Sequence, residues 1–123
     1  MRKIAHHRIT GLLRAVSGLR IGGSDDQLEI GGTDLTCIKH PETLAPYVPG
    51  SSLKGRMRSE LESHHNLIRG PEPFRPNGKK PIDLKPDEYL VTTIFGAHRT
   101  TGHEFGPTRI ICRDAAVCTD YRL

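Results

Sequence analysis

The sequence contains no Trp, only three Tyr and three Phe, and no apolar stretch longer than a few residues. A membrane-spanning helix needs about 20 predominantly apolar residues, so we expect no membrane partner. The three cysteines are an odd and widely spaced set, which argues against a disulfide scaffold and fits a reducing cytoplasm. The basic N-terminal stretch carries arginines on both sides of its apolar patch, which is a poor secretory signal. We therefore expect a cytoplasmic protein.

The chain has 123 residues, and its 18 Lys and Arg against 14 Asp and Glu give a net charge of +4. This length predicts one domain over residues 1–123 with a small core. The 13 Gly and 9 Pro indicate that turns and loops take up much of it. The mild excess of positive charge permits nucleic-acid binding without requiring it, since such a charge is common in other proteins.

Alternation and periodicity predict a thin α+β unit. The clearest helix is expected over 51–65, where Ser51 or Ser52 is a natural N-cap and Leu53, Met57 and Leu61 form one apolar stripe. Two i, i+4 ion pairs are expected on its outside, Arg56 with Glu60 and Arg58 with Glu62. A short helix is expected over 87–95, with Asp87 and Glu88 at its N-terminal end. A Pro-rich polar insertion at about 67–86 is expected to interrupt the domain. Strands are expected over three stretches, and residues 40–50 are expected to be extended and irregular. The three predicted strands are 3–16, 34–39 and 108–117.

The start of the main helix combines several features of an anion site. Its first turn presents backbone N–H groups without intrahelical partners, at the positive end of the helix dipole. Gly55 is unusual in a helix, where it costs about 1 kcal/mol relative to Ala. It serves either close packing inside the protein or close approach of a sugar-phosphate backbone. Hydroxyl and basic side chains accompany these groups, namely Ser51, Ser52, Lys54, Arg56 and Arg58.

Asp34 follows two glycines at the predicted start of a strand. Such a carboxylate is able to bind a divalent cation or to act on a ribose hydroxyl, but an Asp after Gly also commonly caps a turn. His98 and His103, with two of the cysteines, lack the spacing of a zinc site. The sequence alone therefore leaves the role of Asp34 open.

The order of the motifs is more specific than any one of them. The segment VPGSSLKGRMRSELE at 48–62 is the strongest, followed by RIICRDA at 109–115 after IFG at 94–96. Preceding them are SGLRIGG at 17–23 and IGGTD at 30–34. This ordered set resembles the RAMP superfamily of CRISPR-associated proteins, and most of all the repeated backbone subunit of type III-A (Csm) effector complexes.

That resemblance implies a ferredoxin-like, RRM-like fold. It also implies copies stacked in a filament along a CRISPR RNA guide, together with other effector-complex subunits, and cleavage of bound target RNA. By resemblance, Asp34 is the catalytic residue and a ligand of Mg²⁺. The RNA-binding residues would be Gly22, Gly23, Ser51, Ser52, Lys54, Gly55, Arg56 and Arg58.

Members of this family continue beyond the RDA strand into a β-hairpin and the second half of the fold. We therefore expect this chain to correspond to the N-terminal part of such a domain, with the fold incomplete at its C-terminus. The first alternative is a non-catalytic subunit of the same complex that binds guide RNA or supports assembly, for which Asp34 is dispensable. A second is a basic scaffold domain without any RNA role.

Overall fold

The computed structural model describes residues 4–22, 37–99 and 104–118, which contain two α-helices and one two-stranded antiparallel sheet. This combination confirms the expected α+β class. In chain order the elements are β1 (Tyr47–Val48), α1 (Gly50–His64), a 3₁₀ turn (Pro81–Asp83), α2 (Pro86–Phe95) and β2 (Ala115–Ala116).

The described residues cluster into two compact units. One unit holds both helices and comprises residues 50–99 and 104–113. The other holds the sheet and comprises residues 4–22, 37–49 and 114–118.

The helical unit has a small apolar core between α1, α2 and the segment that joins them. Leu67, Val91 and Phe95 are buried at its centre, and Leu61 of α1 packs against them. The predicted apolar stripe of α1 is only partly used, because Met57 is 41% exposed. The buried face of α1 is thus rotated away from Met57. The bounds of both predicted helices are confirmed to within one residue at each end.

The Pro-rich segment at 67–86 is packed into this unit and does not interrupt it. Leu67 belongs to the core, Phe74 packs against it, and Pro76 is fully buried. Glu72 forms ion pairs with Arg75 and Arg99. The expectation of a polar insertion that interrupts the unit was wrong because Leu67, Phe74 and Pro76 contribute to burial, although Ile82 stays 89% exposed. Proline also loses little side-chain entropy on ordering.

The strand predictions were largely wrong. Residues 4–16 form no strand, and their apolar side chains are exposed, with Ile4 and Ile9 at 96%. Of 108–117, only Ala115–Ala116 forms a strand, and it pairs with Tyr47–Val48, a stretch expected to be irregular. Alternation predicts which residues share a face, but a strand also needs a neighbour for its backbone hydrogen bonds. Residues 4–16 are not part of either described strand.

Outside β1 and β2, the described residues of the sheet unit form two isolated β-bridges and a turn. Gly22 bridges to Cys37 and Lys39 to Pro46, both antiparallel, so the described part of the predicted strand 34–39 forms bridges only. The backbone N–H of His40 donates to the Ala45 carbonyl at 2.9 Å, which closes a tight turn before β1. All three cysteines are free; Cys37 and Cys112 are half-buried and Cys118 is exposed.

Candidate nucleic-acid interface

Helix α1 begins at Gly50, directly after the extended pair Tyr47–Val48 and the buried Pro49. Ser51 and Ser52 therefore lie inside the first turn, where both are exposed, and neither is the N-cap that we expected. The prediction failed because the helix begins at Gly50, which makes Pro49 the N-cap position, two residues before Ser51 and three before Ser52. The first turn contains no acidic residue, so the positive end of the helix dipole is not compensated there.

Gly50 allows the start of α1 to lie directly against the backbone at 112–113. A Cβ on Gly50 would lie 2.7 Å from the Cys112 carbonyl carbon and 2.8 Å from the Arg113 carbonyl carbon. Real Cβ atoms do not approach backbone that closely, so any larger residue would displace the helix start. The sequence marked Gly50 only as the end of an extended segment, since close backbone contact leaves no local signal.

Lys54 is held in place by a neutral partner. Its Nζ donates a hydrogen bond to Thr108 Oγ1 at 3.0 Å, and Thr108 Oγ1 donates to the Ile94 carbonyl at 3.1 Å. An ammonium group has three donors, and this contact uses one of them. The described contacts therefore orient the charge of Lys54 without neutralising it.

Gly55 has no structural explanation within the described part of the chain. It lies exposed inside α1, and a Cβ built on it would meet nothing within 4 Å. The alternative in which Gly55 serves internal close packing is therefore not supported by the described residues. An exposed helix glycine of this kind lowers helix stability by about 1 kcal/mol relative to Ala, and no packing contact of the described residues offsets this loss.

Arg56 and Arg58 differ sharply although both were expected to contact RNA. Arg56 is 76% exposed and forms an ion pair with Glu60. Arg58 is only 12% exposed, and its Nε donates to the 3% exposed Glu62 at 2.7 Å. Both predicted i, i+4 pairs are thus present, but only Arg56 offers its charge at the surface.

The other two nitrogens of the Arg58 guanidinium bind backbone carbonyls elsewhere in the helical unit. Its Nη1 donates to the Gly96 carbonyl at 3.1 Å and its Nη2 to the Phe74 carbonyl at 3.0 Å. Three of its five donors therefore have internal acceptors on α1, on the Pro-rich segment and after α2. Sequence reasoning missed this bracing role because both carbonyls are remote in sequence.

A cavity of about 510 Å³ opens beside Arg58 in the same unit. Other lining residues come from the end of α2 and the loops beyond it, including Gly96, His98, Arg99 and Thr108. Burial lowers the pKa of His98, and the charges of Arg58, Arg99 and Arg75 lower this pKa further, against a smaller opposing effect of Glu62. Three arginines therefore lie near enough to His98 to oppose its protonation.

The described residues include Gly22 but little else of the glycine-rich segment that contains Asp34. Gly22 is exposed, and a Cβ on it would meet nothing within 4 Å. Gly23 and Asp34 lie outside the described residues, as does His103. The assignments of Asp34 as catalytic residue and metal ligand, and of Gly22 and Gly23 as RNA contacts, stay predictions.

The described residues contain no group of three or more His, Cys, Asp or Glu side chains that could hold a metal ion. No helix in this part of the chain is long and apolar enough to cross a membrane.

Comparison with known proteins places the chain in a family. Residues 12–121 match the RAMP superfamily. The chain is 39% identical over 109 residues to the CRISPR system Cms endoribonuclease Csm3 of Methanothermobacter thermautotrophicus. It is 36% identical over 108 residues to the protein of the same name from Streptococcus thermophilus.

These alignments cover most of this chain but a minor part of each relative. They include 89% and 88% of the chain, against 40% and 43% of the two relatives. The chain thus spans about two fifths of the length of the curated relatives that it matches. Since the family match extends over nearly all of the sequence, the chain belongs to the RAMP superfamily.

Proposed function

We propose that this chain is a backbone subunit of a type III CRISPR effector complex, which binds the CRISPR RNA guide and cleaves complementary target RNA. The relatives carry the name endoribonuclease Csm3, and their similarity extends through the α1 segment. The single observation that carries the RNA-binding part is Gly55, an exposed helix glycine whose missing side chain leaves open space.

The guide would lie against the first half of α1. Ser51 and Ser52 present hydroxyls beside backbone N–H groups that lack intrahelical partners. Lys54 adds an oriented ammonium, and Gly55 lets a sugar-phosphate backbone approach the helix closely. Arg56 would reach the same backbone if it exchanged Glu60 for a phosphate.

We leave Arg58 out of this contact set. Its guanidinium is nearly buried and donates to three internal acceptors, so a phosphate would have to compete with a buried carboxylate. Arg58 instead positions α1 relative to the loop after α2.

For cleavage, we propose that Asp34 orients the attacking ribose hydroxyl or holds a divalent cation beside the scissile phosphate. Mg²⁺ typically binds one or two carboxylates together with phosphate oxygens and water, so one Asp with an RNA phosphate is a suitable donor set. When bound, the ion would supply charge stabilisation at that phosphate. Sequence specificity would come from pairing with the guide, as in other RNA-guided systems.

The assembly is part of the same proposal. Further copies of the chain and other effector subunits would line up along the guide in the cytoplasm, and the domain would have a ferredoxin-like fold. The exposed apolar side chains of residues 4–19, such as Ile4 and Ile9, are consistent with a chain that acquires more structure in the assembly.

RNA binding by the α1 surface is tested by the salt dependence of affinity. Lys54→Gln removes the oriented charge, and Gln is a good helix former that leaves α1 intact. Losing one phosphate contact on single-stranded RNA should flatten the slope of log K against log salt by roughly 0.7. Fluorescence anisotropy with a labelled single-stranded RNA measures this slope.

The matched control is Lys80→Gln, which removes the same charge from an exposed side chain before the 3₁₀ turn. It should leave the slope near the wild-type value. Equal slopes for Lys54→Gln and Lys80→Gln would contradict the α1 surface. No RNA affinity for the wild type at low salt would favour the scaffold alternative.

A further inference from the structure

The cavity beside Arg58 is lined by two arginines and no carboxylate. Of these, Arg58 pairs with Glu62, whereas Arg99 shares the single carboxylate of Glu72 with Arg75, which lies outside the lining. Lys54 is also outside the lining, but its Nζ lies 3.0 Å from Thr108 Oγ1, which is part of it. Among these described side chains, in and around the cavity, four cations accompany two carboxylates.

The cavity is a depression that opens to solvent, with a volume of about 510 Å³. Part of its wall is backbone and small residues, including Gly96, Ala97 and Gly106. Gly96 has φ +91° and ψ 160°, a conformation almost confined to glycine, which turns the chain away from the end of α2.

Arg58 and Arg99, the two arginines that line the cavity, differ in how accessible they are to a ligand. Arg58 has two donors beyond the three that bind internal acceptors, and it is 12% exposed. Arg99 is 66% exposed, and Glu72 is the acceptor of its Nη1 at 2.7 Å. A guanidinium matches phosphate in a planar, two-donor geometry, which favours a phosphate over other anions.

Continuity with α1 indicates the source of that phosphate. Thr108 lines the cavity and accepts the hydrogen bond of Lys54, so one residue joins the cavity to the proposed guide surface. We propose that this cavity binds a second RNA phosphate, separate from the one at the start of α1, with Arg99 as its principal accessible ligand. This inference rests on the proposed RNA-binding function.

The test compares Arg99→Gln with the wild-type chain and with Lys80→Gln, the control already described. Arg99→Gln removes only an exposed ion pair, which contributes about 0–1 kcal/mol, so the fold should persist. Far-UV circular dichroism verifies the fold, and the salt slope of RNA binding is the readout. We expect Arg99→Gln to flatten the slope by roughly 0.7 on single-stranded RNA, and Arg99→Lys to restore most of it.

Two RNA probes distinguish the sources of the phosphate. A labelled single strand stands for the guide alone, and the same strand annealed to its complement stands for guide with target. A reduced slope with both probes assigns the phosphate to the guide, and a reduced slope with the duplex alone assigns it to the target; either supports the cavity site.

Arg99→Gln that matches the wild type on both probes would overturn the inference. If Lys54→Gln still flattened the slope in that experiment, the proposed function would stand and only the cavity site would fall. A wild-type chain without affinity for either probe would overturn both.

Discussion

Gly55→Ala is expected to change stability and RNA binding in opposite directions. The new methyl group would meet nothing within 4 Å in the described structure, so no clash offsets the gain in helix propensity. Replacing an interior helix glycine by Ala is worth about 1 kcal/mol. The variant should therefore unfold at a higher urea concentration than the wild type.

The same methyl group would stand where the proposed RNA backbone lies. Losing one charge-assisted hydrogen bond to phosphate costs about 1.5–3 kcal/mol, or at least roughly a tenfold weaker affinity. Ordinary destabilisation cannot produce this combination, because a more stable protein would bind more weakly.

Because the chain has no Trp, unfolding is best followed by circular dichroism at 222 nm, and binding by anisotropy of labelled RNA. Ser59→Ala is the matched control: Ser59 is exposed on the same helix, and its replacement raises helix propensity without adding bulk. It should stabilise slightly and leave RNA affinity unchanged. A Gly55→Ala variant that is more stable and binds as well as the wild type would refute the close approach of RNA at α1.

Two further predictions concern buried charges. Arg58→Met leaves the 3% exposed Glu62 without its cation and should destabilise the helical unit by about 3–5 kcal/mol. Arg56→Met breaks only an exposed ion pair and should destabilise the unit by about 0–1 kcal/mol. Similar urea midpoints for the two variants would contradict the role of Arg58 in joining the parts of the helical unit. Burial raises the pKa of Glu88, but the Lys85 backbone N–H at 3.1 Å and nearby lysine ammonium groups outweigh it and hold this pKa below its usual 4.5. A pKa that is lowered in the native state stabilises the fold fully above pH 4.5, and this stabilisation is lost as pH falls below 4.5 through the native value. The difference in unfolding free energy between wild type and Glu88→Gln should therefore narrow as pH falls below 4.5, and a constant difference between pH 7 and 3 would show that the charge of Glu88 contributes nothing.

Local signals were sufficient for the helices. Periodic apolar residues marked α1, and the acidic residues Asp87 and Glu88 marked the start of α2, because helical hydrogen bonds join residues four apart. The predicted N-cap of α1 was wrong by two or three residues, since the helix begins directly after Pro49, whose side chain has no hydrogen-bonding group. Helix ends are where such predictions are least certain.

Strands and long-range contacts were beyond the reach of the sequence. The pairing of Tyr47–Val48 with Ala115–Ala116 joins residues almost seventy positions apart. The hydrogen bonds from Arg58 to Gly96 and Phe74 likewise depend on the folded chain. Without them Arg58 looks like any basic residue on a helix surface, which is why it was assigned to RNA.

The candidate site was predicted in part. The sequence singled out Lys54 and Gly55, and the structure gives one an oriented charge and the other open space. It did not single out Arg99 or Thr108, because their proximity to α1 arises from tertiary packing. Asp34 lies outside the described residues, so its role rests on the motif IGGTD.

Cleavage of target RNA by the assembled effector complex tests the central claim most directly. Complexes containing wild type or Asp34→Ala would be given labelled target RNA, with Mg²⁺ and with EDTA, and guide binding would be measured on the same samples. We predict regularly spaced cuts by the wild type with Mg²⁺, and no cuts in EDTA or from Asp34→Ala, whose guide binding is unchanged. Cuts that survive in Asp34→Ala would contradict the assignment of the catalytic carboxylate, and tight binding without cuts from either protein would identify a non-catalytic guide-holding subunit.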